Sequence, residues 1–264
     1  MNSILMIVAS CLVVGITGLI IGVILGVSQG IFKVETSEKE IKVREALPGN
    51  NCGGCGFAGC DALAKAIASG ECEVNACPVG GDNVAKKIAK IMGATLSEST
   101  RMVANVKCKG DCKASPKKFD YYGSKDCNEV SFSIGGDKSC DYGCLGYGSC
   151  LKVCEFDAIS IKNSLAVIDK DKCKACKKCI DACPRKLIEL IPYAAETKVL
   201  CNNKDMGKEA VSVCKNSCIA CRMCEKNCPV EAISIKDNVA VIDYDKCISC
   251  GKCKEVCKRN AIVS

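Results

Sequence analysis

The amino-acid sequence predicts an α+β chain built from one N-terminal transmembrane helix, a small four-cysteine domain and a duplicated pair of cysteine-rich modules. Three observations predict it. No charged residue occurs from Ile4 to Val27, 27 of the 264 residues are Cys with no His and no Trp, and a block of the C-terminal half recurs 74 residues later. Cysteine at this density means that thiol or metal chemistry organises the chain. The absence of His removes Ser-His-Asp and Cys-His catalytic units, His-ligated zinc or haem, and two-His iron sites. With five Phe and six Tyr no large aromatic core can form, and small cross-linked modules are expected instead.

The first element is the helix. The 24 residues from Ile4 to Val27 would extend roughly 36 Å as a helix, enough to cross a bilayer core with some tilt. A secretory signal peptide would carry basic residues ahead of a shorter apolar run, so residues 1–32 are expected to be an uncleaved anchor. Lys33, Lys39, Lys42 and Arg44 follow the run. The positive-inside rule then places a single-pass protein in the cell membrane with the bulk of the chain on the cytoplasmic side. Thiols stay reduced there, and disulfides are not expected. Gly18, Gly22, Gly26 and Gly30 fall on one helix face, as in helices that pack closely on membrane partners.

A charged linker, 33–48, expected to be helical or flexible, leads to the four-cysteine domain, 49–95. Its pattern is Cys52-x2-Cys55-x4-Cys60-x16-Cys77-Pro78. Glycines around the first three cysteines let backbone N–H groups approach sulfur. Asp61 to Ser69, stopped by Gly70, reads as a helix with Ala62, Leu63, Ala66 and Ile67 inward. Cys72 fits no ligand position and is expected to be structural. A connecting region with extra cysteines, 96–135, follows.

The modules are expected at 136–192 and 193–264. Residues 158–173 and 232–247 agree at 12 of 16 positions, and the offset of 74 maps nine cysteines of one onto nine of the other, from Cys127 on Cys201 to Cys183 on Cys257. Cys221 falls instead on Tyr147. Between its cysteine groups each module carries a short hairpin, Ile159 to Ile168 in the first.

Cys173-x2-Cys176-x2-Cys179-x3-Cys183-Pro184 is the bacterial ferredoxin run. Cys218, Cys221, Cys224 and Cys228-Pro229 repeat it, and Cys247, Cys250, Cys253 and Cys257 keep the spacing with Lys258 in place of Pro. In such runs the first three thiolates wrap one cluster and the fourth reaches the neighbouring one. The expected ligand sets are therefore Cys218, Cys221, Cys224 and Cys257; Cys247, Cys250, Cys253 and Cys228; and Cys173, Cys176, Cys179 and Cys154. In the last set of the modules Cys140 is expected to replace the missing middle cysteine beside Cys144, Cys150 and Cys183. With Cys52, Cys55, Cys60 and Cys77 this makes five [4Fe-4S] clusters. Four of the remaining Cys108, Cys112, Cys127, Cys201 and Cys214 are expected to hold a sixth that ties the modules together, the alternative being free buried thiols. Structural zinc prefers two C-x2-C pairs a dozen or more residues apart, and a metallothionein-like store would not need apolar strands between its cysteines.

The formal charge of +7 comes from 37 basic against 30 acidic residues, only five of the basic ones Arg. A chain so poor in guanidinium and aromatic groups is not expected to bind nucleic acid. Each cluster with its thiolates contributes roughly −2 when oxidised, which offsets the surplus. The lysines are expected to shield that charge.

The order of anchor, glycine-rich NNCGGCGFAGC domain and ferredoxin runs resembles the B subunit of the Rnf (Rsx) complexes, in an extended form similar to clostridial and acetogenic relatives. The four-cysteine domain is similar to the Fes cluster domain. The resemblance covers essentially the whole chain. It implies a translocase that oxidises ferredoxin, reduces NAD and moves Na+ or H+. This subunit would accept electrons from soluble ferredoxin and relay them to other membrane subunits, with no complete active site of its own. Gly53-Gly54, Gly80-Gly81 and Gly135-Gly136 are loop punctuation, and no GxGxxG follows a strand. The alternatives are a membrane-tethered polyferredoxin serving a hydrogenase or corrinoid activator, and a metal store without redox traffic.

Overall fold

The structure is a computed structural model, and it describes residues 2–31, 37–96 and 100–264. Lys33 of the basic flank lies outside them. Helix α1 (Asn2–Ile31) contains the apolar run, and Met6–Ser28 is long and apolar enough to cross a membrane. A Cβ on Gly15, Gly18, Gly22 or Gly26 would meet nothing, so among the described residues none covers that face.

The small domain packs three helices, and it begins earlier than the sequence suggests. Part of the expected linker is α2 (Glu38–Ala46), capped by the Ser37 hydroxyl, which accepts from Glu40 N–H at 3.1 Å. Val43 and Leu47 are buried against α3 (Cys60–Ser69) and α4 (Gly81–Met92). Arg44 reaches Asp61 at 2.5 Å. Gly70 ends α3 in the left-handed conformation, the usual glycine stop. The inward face of α3 is Cys60, Leu63, Ala64, Ala66 and Ile67. Ala62 is exposed, and Ala64 takes the place expected for it because the stripe steps by three and four residues from Cys60.

The remainder contains four two-stranded antiparallel sheets: β1 (Met102–Val106) with β4 (Ile188–Pro192), β2 (Ile159–Lys162) with β3 (Leu165–Ile168), β5 (Lys198–Val199) with β8 (Ile262–Val263), and β6 (Ile233–Lys236) with β7 (Val239–Ile242). Short helices α5 (Cys127–Ile134), α6 (Ser149–Lys152), α7 (Lys178–Asp181), α8 (Gly207–Val213), α9 (Met223–Lys226) and α10 (Lys252–Glu255) lie between them. The hairpins β2–β3 and β6–β7 pair in one register displaced by 74 residues, Ile159 opposite Ile168 and Ile233 opposite Ile242. Both turn through two left-handed residues, Asn163-Ser164 and Asp237-Asn238, which is the tight turn that suits strand twist.

Strand β1 lies in the stretch expected to be only a connection. It pairs with β4, Val106 opposite Ile188, as β5 pairs with β8, Val199 opposite Ile262. Ile188 and Ile262 are 74 residues apart, so β1 and β5 open their units in equivalent ways. The first core gathers Val103, Ala104, Leu187, Ile188 and Ile191, and the second Val199, Ile233, Ala240 and Ile262; Tyr244 packs against both. Ile191 is fully buried opposite Val103. Ile191→Ala is expected to cost about 2–5 kcal/mol, measurable as a lower thermal midpoint of the iron-loaded protein.

Candidate metal centres

The cysteine runs form loops because of backbone geometry between the cysteines. In Cys173–Cys179, Ala175 and Lys177 have positive φ; in Cys218–Cys224, Ala220 and Arg222; in Cys247–Cys253, Ser249 and Gly251. Gly146 and Gly148 do the same in Cys144–Cys150. Each pair of left-handed residues curls the chain so that successive thiols face a common centre. A Cβ on Gly146 would also collide with the Ser164 carbonyl, so only glycine lets this loop close on the hairpin.

Five sets of cysteines come together around enclosed space or shared charge in the two C-terminal units. Cys154, Cys173, Cys176 and Cys179 line a cavity of about 360 Å³, and Cys218, Cys221, Cys224 and Cys257 line one of about 780 Å³. Cys247 and Cys250 lie close enough to raise the Cys253 thiol, after burial, and Cys228 packs on the same core. The first two cavities bring together cysteines that the runs group, whereas the core on which Cys228 packs also holds Cys218, Cys224 and Cys257.

The other two differ from the expectation by an exchange. Cys140 does not join Cys144, Cys150 and Cys183; Cys127, at the start of α5, lines their cavity of about 400 Å³. Cys140 instead shares a cavity of about 300 Å³ with Cys108, Cys201 and Cys214. Cys112 is exposed. The constant offset sets Cys127 on Cys201, whereas the strand register sets Cys108 on Cys201, each two residues after the matching valine. The stretch from Cys108 to Cys140 is longer than that from Cys201 to Cys214, and this added length carries α5 and Cys127. Tyr147, in the middle position that lacks a cysteine, points elsewhere: its hydroxyl donates to buried Asp137 at 2.6 Å and accepts from Lys117 at 3.1 Å. Cys127 N–H donates to the Ser149 hydroxyl at 2.8 Å. Asp126 caps α5, its carboxyl held down at about 2 by Lys152.

The cavity of Cys108, Cys140, Cys201 and Cys214 takes two thiols from each unit and has near two-fold support. Cys144 N–H donates to Cys108 Sγ at 3.4 Å, and Cys218 N–H to Cys201 Sγ at 3.2 Å. Arg185 donates to the carbonyls of Cys140 and Gly143 at 3.0 and 2.6 Å, and Arg259, 74 residues on, to those of Cys214 and Ser217 at 3.2 and 3.4 Å. A Cβ on Gly110 would lie 3.3 Å from Cys214 Sγ and 3.7 Å from Cys108 Sγ.

In the small domain Cys55 and Cys60 lie near Cys77, and burial raises the Cys77 thiol further than they do. Cys72 neighbours Cys55. Cys52 sits at the domain edge, close to Cys176 of the first unit. Contact there is through Gly54, where a Cβ would come within 2.9 Å of Cys176 Cα.

Cys140, Cys150, Cys179 and Cys224 are pushed up to about 12, first by burial and then by neighbouring thiols. Buried thiols that oppose one another's ionisation are a poor arrangement for free cysteines and a good one for thiolates sharing cationic iron. Among the described residues no three His, Cys, Asp or Glu converge on a single metal ion. Cavities ringed by separated thiols, with backbone N–H groups on sulfur, suit a polynuclear iron-sulfur centre.

Comparison with known proteins agrees. Residues 47–79 match the family described as "Putative Fe-S cluster", residues 166–189 a 4Fe-4S binding domain and residues 217–262 a 4Fe-4S dicluster domain. The chain is 47% identical, over 95% of its length and 75% of the relative's, to the B subunit of the Na(+)-translocating ferredoxin:NAD(+) oxidoreductase complex of Acetobacterium woodii. It is 38% identical to the B subunit of the ion-translocating oxidoreductase complex of Methanosarcina acetivorans, over 93% of both chains. It is 39% identical to the B subunit of the proton-translocating ferredoxin:NAD(+) oxidoreductase complex of Clostridium ljungdahlii, over 99% of this chain and 93% of that one.

Proposed function

The chain belongs to the B-subunit family of Rnf-type ion-translocating oxidoreductase complexes, and from that premise we propose how its cysteines serve the family's activity. It is an electron-transfer subunit of an ion-translocating ferredoxin:NAD+ oxidoreductase, a translocase, and its iron-sulfur domains mark it as a carrier of [4Fe-4S] clusters. When bound, such a group supplies one-electron transfer without bond making at a substrate.

Six ligand sets follow: Cys52, Cys55, Cys60 and Cys77; Cys154, Cys173, Cys176 and Cys179; Cys127, Cys144, Cys150 and Cys183; Cys108, Cys140, Cys201 and Cys214; Cys218, Cys221, Cys224 and Cys257; and Cys228, Cys247, Cys250 and Cys253. Residues 38–95 form the small domain, and two duplicated ferredoxin-type units, 102–192 and 198–264, follow it. The chain's own groups donate N–H to sulfur and hold neighbouring ligand sets side by side. Helix α1 anchors the protein, with the remainder on the cytoplasmic side within reach of soluble ferredoxin.

The close approach of Gly54 to Cys176, with Cys52 near by, carries this reading. It brings the small domain, which follows the anchor, against the ferredoxin-type units, as a relay from a soluble donor to membrane partners requires. Mixing the iron-loaded full chain in detergent with chemically reduced ferredoxin should bleach its visible iron-sulfur absorbance within the mixing experiment. Unchanged absorbance would remove the electron-entry role.

A further inference from the structure

Lys138 is buried, at 4% exposure, in the wall of the cavity formed by Cys108, Cys140, Cys201 and Cys214. Its ammonium donates to the Gly110 carbonyl and, at 2.8 Å, to the Cys144 carbonyl. Among the described residues no carboxylate lies within ion-pair distance of it. Its neighbour Asp137 is engaged by Lys117 at 2.6 Å and by Tyr147. Arg185 and Arg259 are also cationic and only half-buried, and they are held to carbonyls at the rim. An ammonium removed from water with only carbonyl dipoles for company needs a nearby negative charge. Four thiolates around iron-sulfur, at roughly −2 in total, would supply it.

We propose that Lys138 is the counter-charge of the centre held by Cys108, Cys140, Cys201 and Cys214, and that it raises the midpoint potential of that centre above what the ligands alone would set. The inference rests on the reading that these four cysteines hold a cluster. The reduced centre carries one more negative charge than the oxidised one, so a fixed cation stabilises it preferentially. The electron comes ultimately from reduced ferredoxin and leaves to the next centre, with no proton or bond involved.

The effect is one-sided. The residue 74 positions after Lys138 is Ser212, exposed and bonded to its own helix at the Glu209 carbonyl. A site otherwise near two-fold symmetric therefore has its buried charge on the first unit's side. Lys138 is a positioning residue for charge, and it is absent from the ligand set.

The test is potentiometric EPR on the full iron-loaded chain, the relevant signal being the one lost in Cys214→Ser. Lys138→Gln keeps an N–H donor for the carbonyls and removes the charge. The expected result is a full iron content and a shift of that one signal toward the oxidised form by about tenfold or more, equivalent to about 59 mV for one electron. An unmoved midpoint with full iron overturns the proposal. If Lys138→Gln fails to retain its iron, Lys138→Arg decides: an unchanged midpoint supports the role of charge, and a lowered midpoint with full iron overturns it. If Cys214→Ser loses neither iron nor a signal, the cluster itself is absent at this site, and the inference falls with it.

Discussion

Cys52→Ala abolishes NAD+ reduction by membranes that carry the whole complex, while the variant chain still bleaches when mixed with reduced ferredoxin. This outcome follows from where Cys52 lies. It belongs to the small domain, whose first helix α2 begins at Glu38 shortly after α1, yet it is the cysteine of that domain near Cys176. Losing it removes a ligand from the set nearest the anchor and leaves the ferredoxin-type units untouched. Gly54→Val is the complementary variant, because it deletes no ligand. Its side chain would collide with Cys176 Cα and its carbonyl oxygen, which is backbone and cannot swing aside, so the two bodies must separate. Electron transfer falls steeply with distance, so Gly54→Val should slow NAD+ reduction with iron content unchanged. If Cys52→Ala blocked reduction by ferredoxin instead, electrons would enter through the small domain and the order of the relay would be reversed.

The second large effect concerns the thiols shared between units. Cys214→Ser is expected to lose about four of about 24 iron atoms, by iron analysis, and to split a single calorimetric transition into two. Few groups besides the shared site connect the units. Ser115 donates to the Val213 carbonyl at 2.9 Å, Asn216 to that of Lys109 at 3.1 Å, Lys215 N–H to that of Ala114 at 2.8 Å, Lys109 to that of Asn260 at 3.3 Å, and Tyr244 touches both cores. Breaking a metal tie between two otherwise self-contained cores should uncouple their unfolding. Retention of all the iron in Cys214→Ser would rule out the shared centre.

Much of this was readable from the sequence because the cysteine runs encode local geometry. Three cysteines in seven residues curl around a centre through residues such as Ala175 and Lys177, and the recurrence at 74 residues carries the hairpin turn with it. What could not be read depended on non-local pairing. Cys127 and Cys140 exchange places because the true equivalence of Cys108 with Cys201 is set by strands β1 and β5, each pairing with a strand far ahead in the chain. The only trace in the sequence is the likeness of Val106-Lys107-Cys108 to Val199-Leu200-Cys201. A helix in the charged stretch was one of two readings, but its packing on the small domain was not legible because only Val43 and Leu47 mark its inward side. Lys138 gave no signal, since a lysine among 37 basic residues is conspicuous only once it is found buried.

Strand β1 and Cys108 have a further consequence, which lies in timing during synthesis. Cys108 and Cys214 are 106 positions apart, and at about 5–20 residues per second the ribosome takes roughly 5–20 s to travel between them. Strand β4 is made before Cys214, so the pairing partner of β1 precedes the last thiol of the shared site. The proposed centre joining the two units would therefore be completed after those proposed for the first unit, because half of its thiols are made last.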